Sequence, residues 1–361
     1  MAETSYEFAV FGSTPLAQLL AGLLASAHGK RVCLVGEPQS VYRLVRGIDL
    51  SVMLATRPET WALLRDTVPE TLGLLKRMGG RSGVRRIDPV FVAETAEGID
   101  ALSHAGHVAA AFGHQLRRLE GDCGLAGGVG YRWRGAVLFD RPRLQPALSA
   151  WLEAAGVGRL AANQATTMLR RDGSARLETR QATFEADHAV LADDSAILAH
   201  LEGAERDRTL LVQNVTAVLT EPGQPLMSTT MVYPDRLVTL VRNRSGSISA
   251  LGAGGAHEAA ARIGTCLASQ EQLRRAGQAS FRQLATVDGA PLLGQAKGVR
   301  ATVIAGLGSA GAFLAPAIAR VIAKAGDGPE RAYFAAREGG RGSARATVAD
   351  YQSPLVLEAQ F

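Results

Sequence analysis

Cysteine is scarce in this chain of 361 residues: Cys33, Cys123 and Cys266 are three, an odd number at wide spacing. That excludes a disulfide framework and points to a reducing compartment. Aromatic residues make up only 5%, too few for a base-stacking platform. The formal net charge of +5 is spread thinly, and the dense basic stretches, Arg81–Arg86 and Arg132–Arg134, are short. Nucleic-acid binding is therefore disfavoured, and clustered arginines point instead to a carboxylate or phosphate ligand. Long apolar runs are also missing. The best candidate, Phe313–Ala325, is cut by Arg320 and Lys324 and falls short of the ~18–20 residues of a membrane span. Met1–Ser5 lacks the basic stretch of a signal peptide, so the expected location is the cytoplasm. A charged fraction of 20% against 47% hydrophobic residues rules out an intrinsically disordered chain.

What is present begins with a βαβ unit. Glu7–Phe11 is a short apolar run fit for a buried parallel strand, and Pro15–Ala27 predicts an apolar helix with proline at its first position. Arg31–Val35 predicts the second strand. Further on, Glu59–Met78 and Arg143–Ala155 carry helical spacing, and Asp172-Gly173 marks a hairpin between Thr166–Arg171 and Ser174–Thr179. Ala186–Ala192 predicts another buried strand. Residues 91–140 are glycine-rich and give no clear assignment, whereas 210–252 break into short strands of an antiparallel sheet. A helix is expected over about 257–284, then a strand at Ala301–Ala305, a turn at Gly306–Gly311 and a helix over Phe313–Ala325. Residues 339–347 are expected to be exposed and mobile.

The turn Gly12-Ser13-Thr14-Pro15-Leu16-Ala17 stands where a dinucleotide fingerprint, G-x-G-x-x-G/A, belongs. Gly12 and Ala17 fit, while Thr14 replaces the second glycine. The helix N-terminus still offers N–H groups and a positive dipole end to a phosphate, and the Thr14 hydroxyl is an additional donor. Glu37 follows the second strand, where a carboxylate would accept hydrogen bonds from a ribose and repel a 2′-phosphate. These residues alone leave FAD, NAD and no cofactor all open.

The late glycine turn decides among them. Thr286–Gln295, with Asp288, Gly289, Pro291 and Gly294, leads into Gly306, Gly308 and Gly311 and a helix starting Leu314-Ala315-Pro316-Ala317. With the N-terminal βαβ unit, Asp140–Leu148 and the 186–201 region, the chain resembles the FAD-dependent D-amino-acid-oxidase/glycine-oxidase superfamily as a divergent member. A plain NAD dehydrogenase has no need of the second turn. The resemblance implies an α/β fold in which a discontinuous Rossmann-like FAD-binding domain (1–80, 140–205 and 286–327) carries an inserted antiparallel-sheet α+β substrate domain (81–139 and 206–285), with a C-terminal tail at 328–361. It implies non-covalent FAD, with Gly12, Ser13, Thr14, Ala17 and Glu37 at the adenosine diphosphate and Gly306, Gly308, Ser309, Ala310 and Gly311 at the flavin.

The implied activity is oxidation of the C–N bond of a small amine or amino acid, by hydride transfer to flavin N5. Arg282 lies near where the resembled family often places a substrate arginine, and Arg46 falls in a loop that reaches the flavin in that family. Tyr233 and Arg244, at opposite ends of the expected sheet, form a candidate carboxylate clamp. Asp193 and Asp194 depart from the family, which ends this strand with small residues and a glycine. Two carboxylates beside a diphosphate would repel it, so both are expected to point away. The altered fingerprint motivates an alternative, a flavin-binding maturation or partner protein, or a hetero-oligomer subunit, acting on another polypeptide. His104, His107 and His114 lack the partner spacing of a metal site, and neither Ser13 nor Ser309 lies in G-x-S-x-G, so no metal centre or hydrolase nucleophile is expected. His188 is expected to be a satisfied core residue.

Overall fold

A computed structural model of the chain describes residues 4–37, 44–119, 128–201, 210–267, 274–296 and 299–338. β1 (Thr4–Phe11), α1 (Pro15–Ser26) and β2 (Val32–Gly36) form the expected βαβ unit, with Phe8 opposite Val32 and Phe11 opposite Val35 in a parallel pairing. These strands are apolar throughout because both of their faces are covered. Val10 joins the cluster under α1 and the helices beside it, while Ala9 and Phe11 join a second cluster on the opposite face.

The sheet grows from segments far apart in sequence. β11 (Thr183–Leu191) is parallel to β1 along its length, and β8 (Gly158–Ala161) is parallel to β2. The end of β11 pairs in parallel with β18 (Val299–Ala305), which pairs antiparallel with β17 (Leu292–Ala296). The start of β11 pairs with the hairpin of β9 (Ala165–Leu169) and β10 (Ala175–Thr179), where Gly173 takes φ +91° at the turn. Behind the sheet, α7 (Gly311–Ile322) packs against both α1 and α2 (Pro58–Arg77), and all three are rich in buried side chains.

A second sheet is almost wholly antiparallel. Its order is β16 (Arg275–Thr286), β12 (Leu210–Thr220), β15 (Ile248–Ala253), β14 (Val238–Arg242), β13 (Thr230–Tyr233), β4 (Val90–Ala93), β6 (Val129–Trp133) and β5 (Leu116–Leu119), and only β13 and β4 run parallel. Its far face buries Met231, Tyr233, Val238, Leu240 and Ile248 against Ile263 and Cys266 of α6 (Ala256–Cys266). The alternate residues face the first sheet. The remaining elements are α3 (Ala96–Ala111), a small ribbon of β3 (Val84–Ile87) with β7 (Ala136–Phe139), α4 (Arg141–Ala154) and α5 (Asp194–His200).

Three expectations change. The helix expected over 257–284 stops at Cys266, and 275–286 is instead the strand β16, paired with β12 from Leu210↔Thr286 to Thr220↔Arg275. Gln, Arg and Leu in this stretch favour a helix locally, but a long partner strand, paired along its whole length, overrides that preference. Residues 91–140, which gave no assignment, contain β4, α3 and β5 to β7. The tail assigned from 328 onward begins with a helix, α8 (Gly328–Ala335), capped reciprocally by Asp327 and Glu330 and burying Tyr333 and Phe334. Residues 339–347, expected to be mobile, lie outside the described residues, as does Cys123.

Candidate active site

The β1–α1 turn is built by steric necessity. Gly12 sits at φ +151°, and a Cβ there would come within 2.8 Å of Ala17 Cβ and 3.0 Å of Asp193 Oδ2. Gly36 passes so near that a Cβ would overlap the Gly12 carbonyl oxygen. Ala17 is completely buried, so it serves the turn through packing rather than contact with a ligand. Thr14 caps α1, its Oγ1 accepting from Ala17 N–H at 3.4 Å, and Pro15 opens the helix without a donor. Ser13 Oγ accepts from Glu37 N–H at 2.8 Å and ties the turn to the end of β2. Gln18 donates to the Ser13 carbonyl at 3.1 Å and exchanges amide hydrogen bonds with Gln145 of α4.

The late glycine turn lies in front of the same helices. Gly306 and Gly308 take φ +68° and +54°, conformations that suit glycine, and a Cβ on Gly311 would be 3.6 Å from Leu16 of α1. Ser309 is held by the 50–52 segment: its carbonyl accepts from Leu50 N–H at 2.9 Å, and its hydroxyl reaches the Val52 carbonyl at 3.4 Å.

Both turns line one cleft of about 380 Å³ between the two sheets. Ser13, Thr14, Glu37, Gly306, Gly308, Ser309 and Gly311 face it directly, while Gly12, Ala17 and Ala310 lie just behind. The opposite wall is the inner face of the second sheet, including Val215, Val232, Thr239, Leu251 and Phe281. Arg282 and Arg46 also line the cleft, with the Arg46 guanidinium 5.6 Å from the centre of the Phe281 ring. Arg282 has no hydrogen-bonding or charged side-chain partner among the described residues.

Tyr233 and Arg244 are not brought to the cleft. Val232 faces it, so the strand alternation turns Tyr233 to the far side, where it is buried with its hydroxyl 3.6 Å from Met231 Sδ. Arg244 extends along the surface to Asp140, 3.2 Å away. Sequence reasoning missed an ion pair in the cleft wall, Arg141 with Asp49 at 2.6 Å, and Gln145 beside it. The only signal was the Asp140–Leu148 segment, and nothing in it singled out Arg141.

The acidic pair also departs from expectation. Asp193 does not point away from the turn: its Oδ2 accepts from Ser13 N–H at 2.6 Å, and its Oδ1 caps α5 through Ala196 N–H at 2.9 Å, with the Thr14 backbone N–H close enough to stabilise the charged form. A carboxylate at the end of β11 satisfies two helix N-termini at once, which is why it turns inward. Burial raises its pKa above the ordinary aspartate range, and these N–H groups oppose the rise. Asp194, half-buried, accepts from Leu284 N–H at 3.2 Å and is pushed up to about 7, chiefly by desolvation. Elsewhere His188 meets the Thr302 hydroxyl at 2.7 Å, His114 packs on Trp61, and Cys33 is a core residue with its thiol pushed up to about 12 by burial.

No protein-family model matches the chain, and no curated protein is similar to it in sequence. Solved structures are similar in fold. Glycine oxidase from Geobacillus kaustophilus superposes with a TM-score of 0.69 at 18% identity, over 96% of this chain and 99% of that one. The chain has the glycine-oxidase fold. NikD, described as an unusual amino acid oxidase essential for nikkomycin biosynthesis, gives 0.71 at 15% identity, over 95% of this chain and all of its own. L-proline dehydrogenase from P. horikoshii gives 0.68 at 15%, over 91% and 98%. Within the glycine-oxidase fold, the first sheet and its glycine turns form one wall of the cleft and the antiparallel sheet the other. Among the described residues, no helix is long and apolar enough to cross a membrane.

Proposed function

We propose that the cleft holds FAD and that the protein oxidises the C–N bond of a small amine or amino acid. The observation that carries this reading is the convergence of two glycine turns, from opposite ends of the sequence, on one cleft in a fold shared with amine oxidases. The donor set suits an anionic cofactor, because Ser13 N–H already holds a carboxylate, a stand-in for a phosphate. The reading divides the chain into a dinucleotide domain (1–80, 140–205, 286–327) and a substrate domain (81–139, 206–285), a division supported by the grouping of most strands into two sheets.

Glu37 would take the ribose hydroxyls, and the Gly308–Ser309 backbone with the start of α7 would face the flavin ring. When bound, the flavin accepts hydride from the substrate carbon and passes the electrons on to an acceptor. The chain's own part is positioning. Arg282 offers an unpaired guanidinium to a substrate carboxylate, and Arg46 with Phe281 closes the wall beside it. Among the described residues, no histidine, cysteine or tyrosine lines the cleft, which supports non-covalent attachment. Buried, unpaired thiols at Cys33 and Cys266 agree with a reducing, cytoplasmic setting.

The test is an anaerobic titration of the FAD-loaded protein with amino acids and small amines, followed by bleaching of the flavin band. In Arg282→Met, KM for a carboxylate-bearing substrate is expected to rise roughly tenfold to hundredfold, the loss of a charged hydrogen-bonding pair. An unchanged KM would move the carboxylate site elsewhere. Failure of the protein to bind FAD under any condition would overturn the whole reading.

A further inference from the structure

The diphosphate cradle of this fold is already filled by the chain itself. The turn after β1 ordinarily offers its free N–H groups to the ligand's phosphates. Here Ser13 N–H binds Asp193, the Thr14 N–H lies near the same carboxylate, Pro15 has no N–H, and Ala17 N–H is engaged by Thr14 Oγ1. Leu16 N–H is what remains of the turn's donors. The carboxylate is held firmly, because its second oxygen caps α5 at Ala196. Its close approach also depends on Gly12, where a Cβ would lie 3.0 Å from Oδ2. The charged side chains that face it are both acidic: Glu37 at the end of β2 and Asp194 beside it on α5. No cation pairs with Asp193 among the described residues.

We propose that Asp193 is a resident anion that competes with the diphosphate of a dinucleotide for the Ser13–Thr14 cradle, so that cofactor uptake requires this carboxylate to be displaced or neutralised. The inference rests on the FAD reading and adds to it a control over loading. A diphosphate brought beside an ionised Asp193, with Glu37 and Asp194 near, meets like charge at short range. Protonation removes that repulsion and loosens the hold on the Ser13 N–H. Burial raises the Asp193 pKa, so the neutral form is reached at higher pH than for an exposed aspartate. FAD affinity is therefore expected to fall as pH rises.

The experiment is titration of cofactor-free protein with FAD at pH 6 and pH 8, read by quenching of flavin fluorescence, with riboflavin as a second probe that lacks the diphosphate. Asp193→Asn and Asp193→Ser both remove the charge and retain an N-cap for α5. At pH 8 each is expected to bind FAD about tenfold or more tightly than the unaltered protein, and to lose most of the pH dependence. Riboflavin affinity should be nearly unchanged, whereas a general change in the cleft would move both ligands together. Asp194→Asn separates the contribution of the neighbouring acid, which itself titrates near 7: a pH dependence that persists in it belongs to Asp193, and one that vanishes overturns the assignment to Asp193. Equal FAD affinity in all proteins at both pH values overturns the inference while leaving the FAD reading intact. Parallel gains for FAD and riboflavin also overturn it. No FAD binding by any of the proteins overturns both.

Discussion

Asp194 is a carboxyl that the fold keeps partly protonated near neutrality. Its pKa rises to about 7, chiefly through burial, whereas an unfolded aspartate titrates near 3.9. The folded state therefore retains a proton that the unfolded state releases, and linkage fixes the sign. The stabilisation is complete below about pH 4 and is lost progressively as pH rises through 7. In Asp194→Asn, where the amide oxygen still accepts from Leu284 N–H, that slope should vanish. The variant should be more stable than the parent above pH 7 by roughly 2–4 kcal/mol. Denaturant unfolding from pH 4 to 8 measures it, and parallel curves for the two proteins would contradict it. At this scale the sequence was only half legible. Gly12, Ala17 and Glu37 could be found because their spacing is dictated by backbone sterics that recur wherever this turn forms. The direction of Asp193 could not, because it depends on where β11 ends beside β1, a contact between residues 180 apart. Tyr233 failed for a related reason: its composition suited a clamp, but which face of β13 it occupies is set by register with β14 and β4.

Elements were legible where the local pattern and the tertiary demand agree. The βαβ unit, α2, the Asp172-Gly173 hairpin and β12 to β15 carry their own periodicity and turn chemistry. β16 does not. Its exposed stretch, with Ala276, Ala279 and Gln278, has no alternation strong enough to announce a strand, and it is a strand because β12 lies alongside. Helix α4 shows what holds an element once formed. Its start packs on Gly83 so closely that a Cβ there would sit 2.7 Å from Leu144 Cα and 2.8 Å from its amide nitrogen, while Gly83 accepts from Asp140 N–H at 2.8 Å. These are backbone atoms and cannot swing aside. Gly83→Ala should therefore displace α4 and lower stability by about 1–3 kcal/mol, with weaker cofactor binding because Arg141 and Gln145 move with the helix. Thermal unfolding and FAD titration report the two effects. A variant of unchanged stability would show that α4 yields at no cost.

Across the whole molecule, the two sheets are physically one body even though each is assembled from separate stretches of chain. Leu210 of β12 and Leu284 of β16 belong to the same apolar cluster as Phe11, Leu191 and Ile197 of the first sheet and α5. Leu293 and Ile304 of the first sheet share another cluster with Phe91 and Val232 of the second. The chain passes between the sheets repeatedly, so neither can lose its strands without stripping apolar surface from the other. That arrangement predicts a single cooperative unfolding transition in urea, with tryptophan fluorescence and far-ultraviolet circular dichroism changing together. It also predicts the effect of the cofactor. A ligand seated between the sheets stabilises the entire transition, by about 2.7 kcal/mol at a free concentration of 100 times Kd. In two independently folding sheets, FAD would shift one transition and leave the other in place, and that outcome would show that the cleft is a seam between separate domains rather than part of a common core.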